Sequence, residues 1–337
     1  MKEIKKKINI LLKEAKFETF CFESTPSKQN KYCFDSLVKK DNKIFLVKVF
    51  ANIDNINENI IKNIKNLSLL LNSQPLLIGI KNRYQNLEDN TIYIRNDLPF
   101  ITPTTLKNIL RFNDFPHILA KRGGGVVFLD GNLMKTLREQ KNLSRKEISD
   151  QLGVTKRTVC SYENENMRPS QKIAEKIIQI LESKSIFRKI NLFEWKVRVR
   201  INLEKKNEKK ELSDFETNLQ DIFEHLGIST IWYKKGQTPF ELTLSSKNYT
   251  LGSDDYDDFY PLFSGVSQEE ENNKINKLSI NNLVKFANLF HRNALFIVSN
   301  AFRIPDVFKK GKIPIVKLKS LENMENEEDF VEIFKQK

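Results

Sequence analysis

The chain has 337 residues, of which 39% are hydrophobic and 29% charged: long enough for two or three packed domains and too apolar to be wholly disordered. Lys and Arg number 56 against 43 Asp and Glu, a formal charge of +13, which favours polyanionic partners, nucleic acid before an anionic membrane surface. Cys21, Cys33 and Cys160 stand at unrelated spacings, as do His117, His225 and His291, so neither a disulfide framework nor a zinc site is supported and no metal or other cofactor is expected.

The N-terminal MKEIKKKINILLKEAKF reads as an amphipathic helix to about Ala15, because Lys13 and Glu14 interrupt an apolar core too short for a signal peptide. The longest apolar stretch, SLLLNSQPLLIGI, is broken at Asn72, Ser73, Gln74 and Pro75, short of the roughly 18 residues of a membrane span. A cytoplasmic protein with reduced thiols and no membrane partner is expected. Strand patterns follow in FETFCFE, CFDSLVKK and KIFLVKVFA, then a helical run NENIIKNIKNLSLLLN and the apolar strand PLLIGI. After IYIRND comes a second helix, TPTTLKNILRF; the order predicts an α/β or α+β domain with a crossover helix over residues 1–122.

Gly123, Gly124 and Gly125 invite comparison with a phosphate loop, but phosphate cradles open into a helix, and here the strand-like VVFLD follows. A flexible turn between domains is the expectation. From Asn132 to Glu182 the pattern is helical with short turns. Ser144 followed by Glu147 forms a capping box that starts a helix at Arg145, and Gly153 is suited to end it after Leu152. Thr155 then caps another helix after a three-residue turn, the helix-turn-helix spacing. Leu137, Ile148, Leu152, Val154, Val159 and Tyr162 fall on the core side, which leaves Lys156, Arg157 and Ser161 facing outward.

A recognition helix enters the major groove by its N-terminal end, so Lys156 and Arg157 are placed to reach base edges; arginine bonds guanine O6 and N7 together, at about 1–3 kcal/mol of discrimination. Arg145 and Thr155, at helix N-termini, are candidates for backbone phosphates, and Arg168 for a phosphate or the minor groove. Cys160 and Ser161 are expected in the exposed middle of the helix, where small side chains make few base contacts. For Cys160 a redox switch competes with an inert small residue.

LSRKEISDQLGVTKRTVCSYENENMRPS resembles the Cro/C1-type (lambda-repressor-like) helix-turn-helix family, and the wider chain resembles an archaeal family of transcriptional regulators with this module at its centre. The second resemblance rests on CFDSLVKK, FLVKVFANID, the RGGG turn before FLDGN, and PFEL with FSGVS. It implies sequence-specific binding of double-stranded DNA as a homodimer and supplies no effector.

Beyond the module, residues 184–212 are strongly basic, with Trp195, Val197, Val199 and Ile201 alternating against Lys196, Arg198 and Arg200; a basic arm, a connecting strand and a solvated linker all fit. Residues 213–337 replay the N-terminal order of elements: DIFEHLGISTIWY, PFELTL, YPLFSGVSQEE, INKLSINNLVKFANLF, ALFIVS and IPIVKLKSLENM, with Phe240-Glu241 in the place of Phe34-Asp35. SDDYDDFY lacks the spacing of an EF-hand and reads as a solvated acidic loop.

The first copy also resembles the restriction-endonuclease fold, with Glu14 on a helix, Asp35 at a strand and Lys48 in FLVKV. Such nucleases need an Asp and a Glu-x-Lys element to hold magnesium and support the attacking water. Here the Glu position is Leu46, and the second copy has Glu241 but no lysine.

The fold expected is therefore multidomain α/β plus all-α: a five-helix module at 123–183, a basic segment at 184–212, and two related α/β domains, 1–122 and 213–337, resembling degenerate nuclease folds. The function expected is DNA-binding transcriptional regulation without enzyme activity. A metal-dependent nuclease targeted by the helix-turn-helix and an RNA-binding or antitoxin-like protein are the alternatives.

Overall fold

The structure, a computed structural model, describes residues 1–22, 32–121, 124–195, 197, 212–246, 259–267, 277–302, 304 and 313–335. The acidic loop at 253–258 and most of the basic segment beyond Trp195 lie outside the described residues. The chain divides into two compact units: Met1–Thr19, Leu37–Glu58 and Gln74–Arg198 form the first, and Phe20–Ser36, Asn59–Ser73 and Val199–Lys337 the second.

Helix α1 (Lys2–Glu14) buries Ile8 and Leu12 and precedes β1 (Glu18–Phe20), β2 (Ser36–Lys40) and β3 (Lys43–Asn52). Asp41 and Asn42 both have positive φ, so β2 and β3 close through the type I′ geometry that matches strand twist. Helix α2 (Glu58–Leu70) crosses over to β4 (Gln74–Lys81), which runs parallel to β3. Strands β5 (Thr91–Arg95) and β6 (Leu98–Ile101) form a second tight hairpin on Asn96 and Asp97, again both at positive φ. Helix α3 (Pro103–Phe112) starts at Thr102, whose hydroxyl accepts from the Thr105 amide at 3.0 Å, with Pro103 where its missing N–H costs nothing.

With β7 (Ile118–Lys121) and β8 (Gly124–Val127) the strands form one sheet of order β1-β2-β3-β4-β6-β5-β7-β8. Its core joins Ile8 and Leu12 of α1, Val47 and Val49 of β3, Ile78 of β4, and Leu106 and Ile109 of α3. Each such aliphatic, fully buried, contributes about 1.5–3 kcal/mol. The triple glycine departs from expectation: Gly124 and Gly125 are strand residues paired with Lys121 and Ala120, not a turn between domains. Packing explains this, since a Cβ on Gly125 would meet the Ile118 side chain at 2.7 Å.

The helical region has α4 (Gly131–Gln140), α5 (Arg145–Leu152), α6 (Lys156–Glu163) and α7 (Gln171–Leu181). Four helices, not the expected five, are present among the described residues of the module. In place of a fifth, residues 184–190 run alongside 128–130: the Asp130 amide donates to Ile186 O at 2.8 Å and the Arg188 amide to Phe128 O at 2.9 Å. Ile186 is wholly buried in the helical core, so this segment closes the module by strand-like bonding.

The second unit holds α8 (Asp214–His225), β9 (Ile228–Trp232), β10 (Leu242–Ser246), β11 (Leu262–Ser267), α9 (Lys277–Phe290), β12 (Ala294–Val298), β13 (Ile315–Lys317) and two helices at Leu318–Glu322 and Glu327–Lys335. Ser213 and Glu216 form a capping box on α8. The sheet order β9-β10-β11-β12-β13 repeats the order β1-β2-β3-β4-β6 of the first sheet, and α9, like α2, links two adjacent parallel strands. Phe223, Leu242, Leu262, Leu295, Ile297 and Phe330 form its core. Segments from the first half of the chain belong to this unit: Phe34 stacks on Phe286, and Asn282 donates to the Tyr32 hydroxyl at 3.1 Å.

Candidate nucleic-acid interface

The turn between α5 and α6 is built by local chemistry. Ser144 accepts from the Glu147 amide at 3.2 Å while the Glu147 carboxylate accepts from the Ser144 amide at 2.7 Å, a complete capping box. Those bonds from Ser144 hold the Glu147 carboxyl below its usual range. Gly153 adopts φ +68 and ends α5, a left-handed conformation that a Cβ would strain. Thr155 caps α6 by accepting from the Thr158 amide at 3.1 Å. Three residues therefore separate the helices, as the spacing predicts.

The inward face of α6 is fixed by Val159 and Tyr162, both buried with Ile148 and Leu152, while Leu137 and Val154 are partly buried against them. Thr155, Lys156 and Arg157 are exposed, and neither cation has a carboxylate partner among the described residues. Ser161 is half-buried, its hydroxyl donating to Arg157 O at 3.0 Å. Cys160 is likewise half-buried, against the expectation of exposure, and its Sγ accepts from Asn164 Nδ2 at 3.5 Å. The outward surface of α6 is thus concentrated at its N-terminal turn.

A buried carboxylate that the sequence reading missed locks this surface. Glu163, at the end of α6 and 4% exposed, accepts from Arg138 Nε of α4 at 2.6 Å and from Arg145 Nε of α5 at 2.7 Å. Arg138 also donates to Leu143 O at 2.9 Å, so one ion network ties three helices and the α4–α5 turn. Gly131 belongs to the same contact: a Cβ there would lie 2.1 Å from Glu163 O. The signal in the sequence is Arg138 itself, which falls four residues after Met134 on the buried face of α4 and needs a partner there.

Arg145 is consequently half committed. Its bond to Glu163 raises its already high pKa and orients the guanidinium at the α5 N-terminus, with the rest of the group partly exposed. Arg168 lies with its guanidinium carbon 3.7 Å from the centre of the Phe128 ring, a cation–π contact that holds it beside β8. Arg188 makes paired 2.7 Å bonds to Glu165, pinning the chain that leaves the module to the loop after α6.

The residues of the nuclease-like pattern are placed differently. Glu14 pairs at the surface with Arg111 at 2.9 Å. Asp35 immediately precedes β2, and Lys48 is buried within β3. Leu46, two residues before it, is fully buried, and its side chain has no oxygen to offer a metal. In the second sheet Glu241 immediately precedes β10 and its carboxylate accepts from the Val266 amide at 3.0 Å. Aligning β4 with β12 puts Gly265 opposite Phe296 where Lys48 faces Leu77, and a Cβ on Gly265 would meet the Phe296 ring at 2.4 Å. No group of three His, Cys, Asp or Glu able to hold a metal occurs among the described residues, and no described helix is long and apolar enough to cross a membrane.

Comparison with known proteins agrees with both parts of this picture. A family model described as a PD-(D/E)XK superfamily domain matches residues 1–116, and one described as Helix-turn-helix matches residues 134–186. A protein of Methanobrevibacter smithii named "Putative HTH-type transcriptional regulatory protein" is 30% identical over 294 residues, 87% of this chain and 86% of its own. A protein of the same description from Pyrococcus furiosus is 25% identical over 294 residues, again 87% and 86% of the two chains, and one from Methanococcoides burtonii is 36% identical over 146 residues, 42% and 45%. No solved structure matches. The fold and site define a helix-turn-helix DNA-binding protein with a PD-(D/E)XK domain. The chain belongs to the family of archaeal HTH-type transcriptional regulators.

Proposed function

We propose that the protein is a sequence-selective regulator that binds double-stranded DNA as a homodimer, with α6 in the major groove and Lys156 and Arg157 at the base edges. The observation that carries this is the exposed, capped N-terminal turn of α6 over a face fully occupied by packing. Thr155 and the free part of Arg145 are placed for phosphates, where helix N-termini add their own attraction. The two α/β sheets are related copies that serve assembly or sensing; their shared strand order and the matching positions of Asp35 and Glu241 support this. Selection from random duplexes followed by sequencing is the test. Enrichment of symmetric half-sites about 34 Å apart, one helical turn, is the expected result. Enrichment of no duplex, or loss of duplex binding to competing RNA at equal concentration, overturns the reading.

A second reading is favoured by the PD-(D/E)XK match together with Asp35 and Lys48: a nuclease directed by the reader. Leu46 argues against it, because a magnesium site deprived of one carboxylate is poorly held. Plasmid incubated with protein and magnesium or manganese is expected to remain intact. Cleavage that disappears in Asp35→Ala would establish the nuclease instead.

A further inference from the structure

The helix-turn-helix and the first sheet share an open cleft of about 1130 Å³. One wall is the start of α7, including Lys172; the other is formed by the C-terminal ends of β5 and β7, with Arg95 and Lys121, together with a loop that carries Tyr84. The walls are fixed to each other, since Val126 bridges to Ser170 and the Val127 amide donates to Pro169 O at 2.9 Å.

The loop is unusual in what it holds out. Asn82 Oδ1 accepts from the amides of Tyr84 and Gln85 at 2.8 and 2.7 Å, and Asp54 accepts from the Arg83 amide at 2.9 Å. The backbone is thus pinned at three successive amides, yet Tyr84 is 86% exposed. An aromatic side chain held in water on an ordered backbone has already lost much of the chain freedom that binding would otherwise cost. The charge around it is cationic. Among the lining side chains Arg95 pairs with Asp54 at 2.6 Å, leaving Lys121 and Lys172, both exposed, against Glu88.

The position relative to α6 supplies the ligand. A helix inserted in the major groove, about 12 Å wide, is flanked by a phosphate strand on each side. The chain leaving α6 at Asn164 reaches Ser170 in six residues, at most about 22 Å of extended chain. Helix α6 itself adds about 12 Å from Lys156, so the cleft begins at most about 34 Å from the reading turn, the length of one helical turn of duplex over which the bordering backbone runs.

We propose that Tyr84, Lys121 and Lys172 form a second DNA-contacting surface, which grips the sugar-phosphate backbone beside the half-site read by α6; this rests on the duplex-binding reading above. Lys121 and Lys172 each neutralise a phosphate, and the Tyr84 hydroxyl donates to a phosphate oxygen. None of the three reads a base, so the surface adds affinity and orientation without altering sequence preference.

The test uses the full chain and the duplex it selects. Each phosphate contact contributes about 0.9 to the slope of log K against log salt, so Lys121→Ala/Lys172→Ala should lower that slope by about 1.8 with unchanged site preference. Tyr84→Ala should weaken binding about tenfold at fixed salt, as loss of one hydrogen bond to a charged group does, and shorten the hydroxyl-radical footprint symmetrically beside both half-sites. Slope, affinity and footprint equal to wild type in both variants, while wild type still binds its selected site, would overturn the surface alone. A wild-type chain that selects no duplex removes the duplex-binding reading and the surface with it.

Discussion

The helix-turn-helix and the first α/β sheet lie in one compact unit, yet their candidate functional residues are set out very differently. In the reader, each local device is in place: both caps, the left-handed glycine, a filled inner face and two free cations at the outer turn. In the sheet the scaffold is complete, and Leu46, buried among neighbours, stands two residues before Lys48 where the nuclease pattern has a carboxylate; the loss of nuclease chemistry proposed above rests on it. Packing alone sustains a fold, and function depends on a few side chains that packing does not require.

The largest expected effects come from forcing each region toward the other's condition. Leu46→Glu would restore the nuclease pattern on paper, but it buries a charge without a partner. It should cost several kcal/mol in urea unfolding and produce no plasmid cleavage with magnesium. Glu163→Ala removes the carboxylate shared by Arg138 and Arg145 and takes from the buried Arg138 its buried partner; a loss of about 3 kcal/mol is expected, with binding lost in parallel. A near-wild-type melting curve would show that the network does not hold the reader together. Ser144→Ala deletes one half of the capping box and should cost about 1 kcal/mol, with duplex preference intact.

The smallest effect is a pH dependence. His117 stacks on Phe187, with ring centres 4.2 Å apart, where the sheet meets the segment that closes the module. Burial lowers its pKa below the usual 6.5, so the folded state binds fewer protons than the unfolded one. Its contribution is fully present above about pH 6.5 and is lost as pH falls through the folded value. Denaturation midpoints should decline between pH 7 and 5, and His117→Gln should flatten that decline.

Much of this was legible in the sequence because it is local. Ser144, Glu147, Gly153 and Thr155 act on amides no more than a few residues away, so their spacing alone places α5 and α6. The succession of strands and helices along the chain, CFDSLVKK, KIFLVKVFA and PLLIGI and their counterparts after Ser213, was equally readable from alternation, whereas the order of strands across each sheet was not. What the sequence concealed depends on partners distant along the chain. Glu163 meets Arg138 and Arg145 from 25 and 18 residues away, Arg168 is claimed by Phe128, and residues 184–190 forgo a fifth helix because 128–130 offers them backbone partners. Gly125 reads as a turn residue until Ile118 is seen to occupy the space where a side chain would be.

The central claim is that Lys156 and Arg157 do the reading. Gel shifts of wild type and Lys156→Ala/Arg157→Ala on the selected duplex and on a scrambled one, with circular dichroism as the check on folding, test it directly. With two base contacts removed at about 1–3 kcal/mol each, the folded variant should bind the selected site at least about thirtyfold more weakly and no better than the scrambled one. A folded variant that still prefers its site as strongly as wild type would contradict the account.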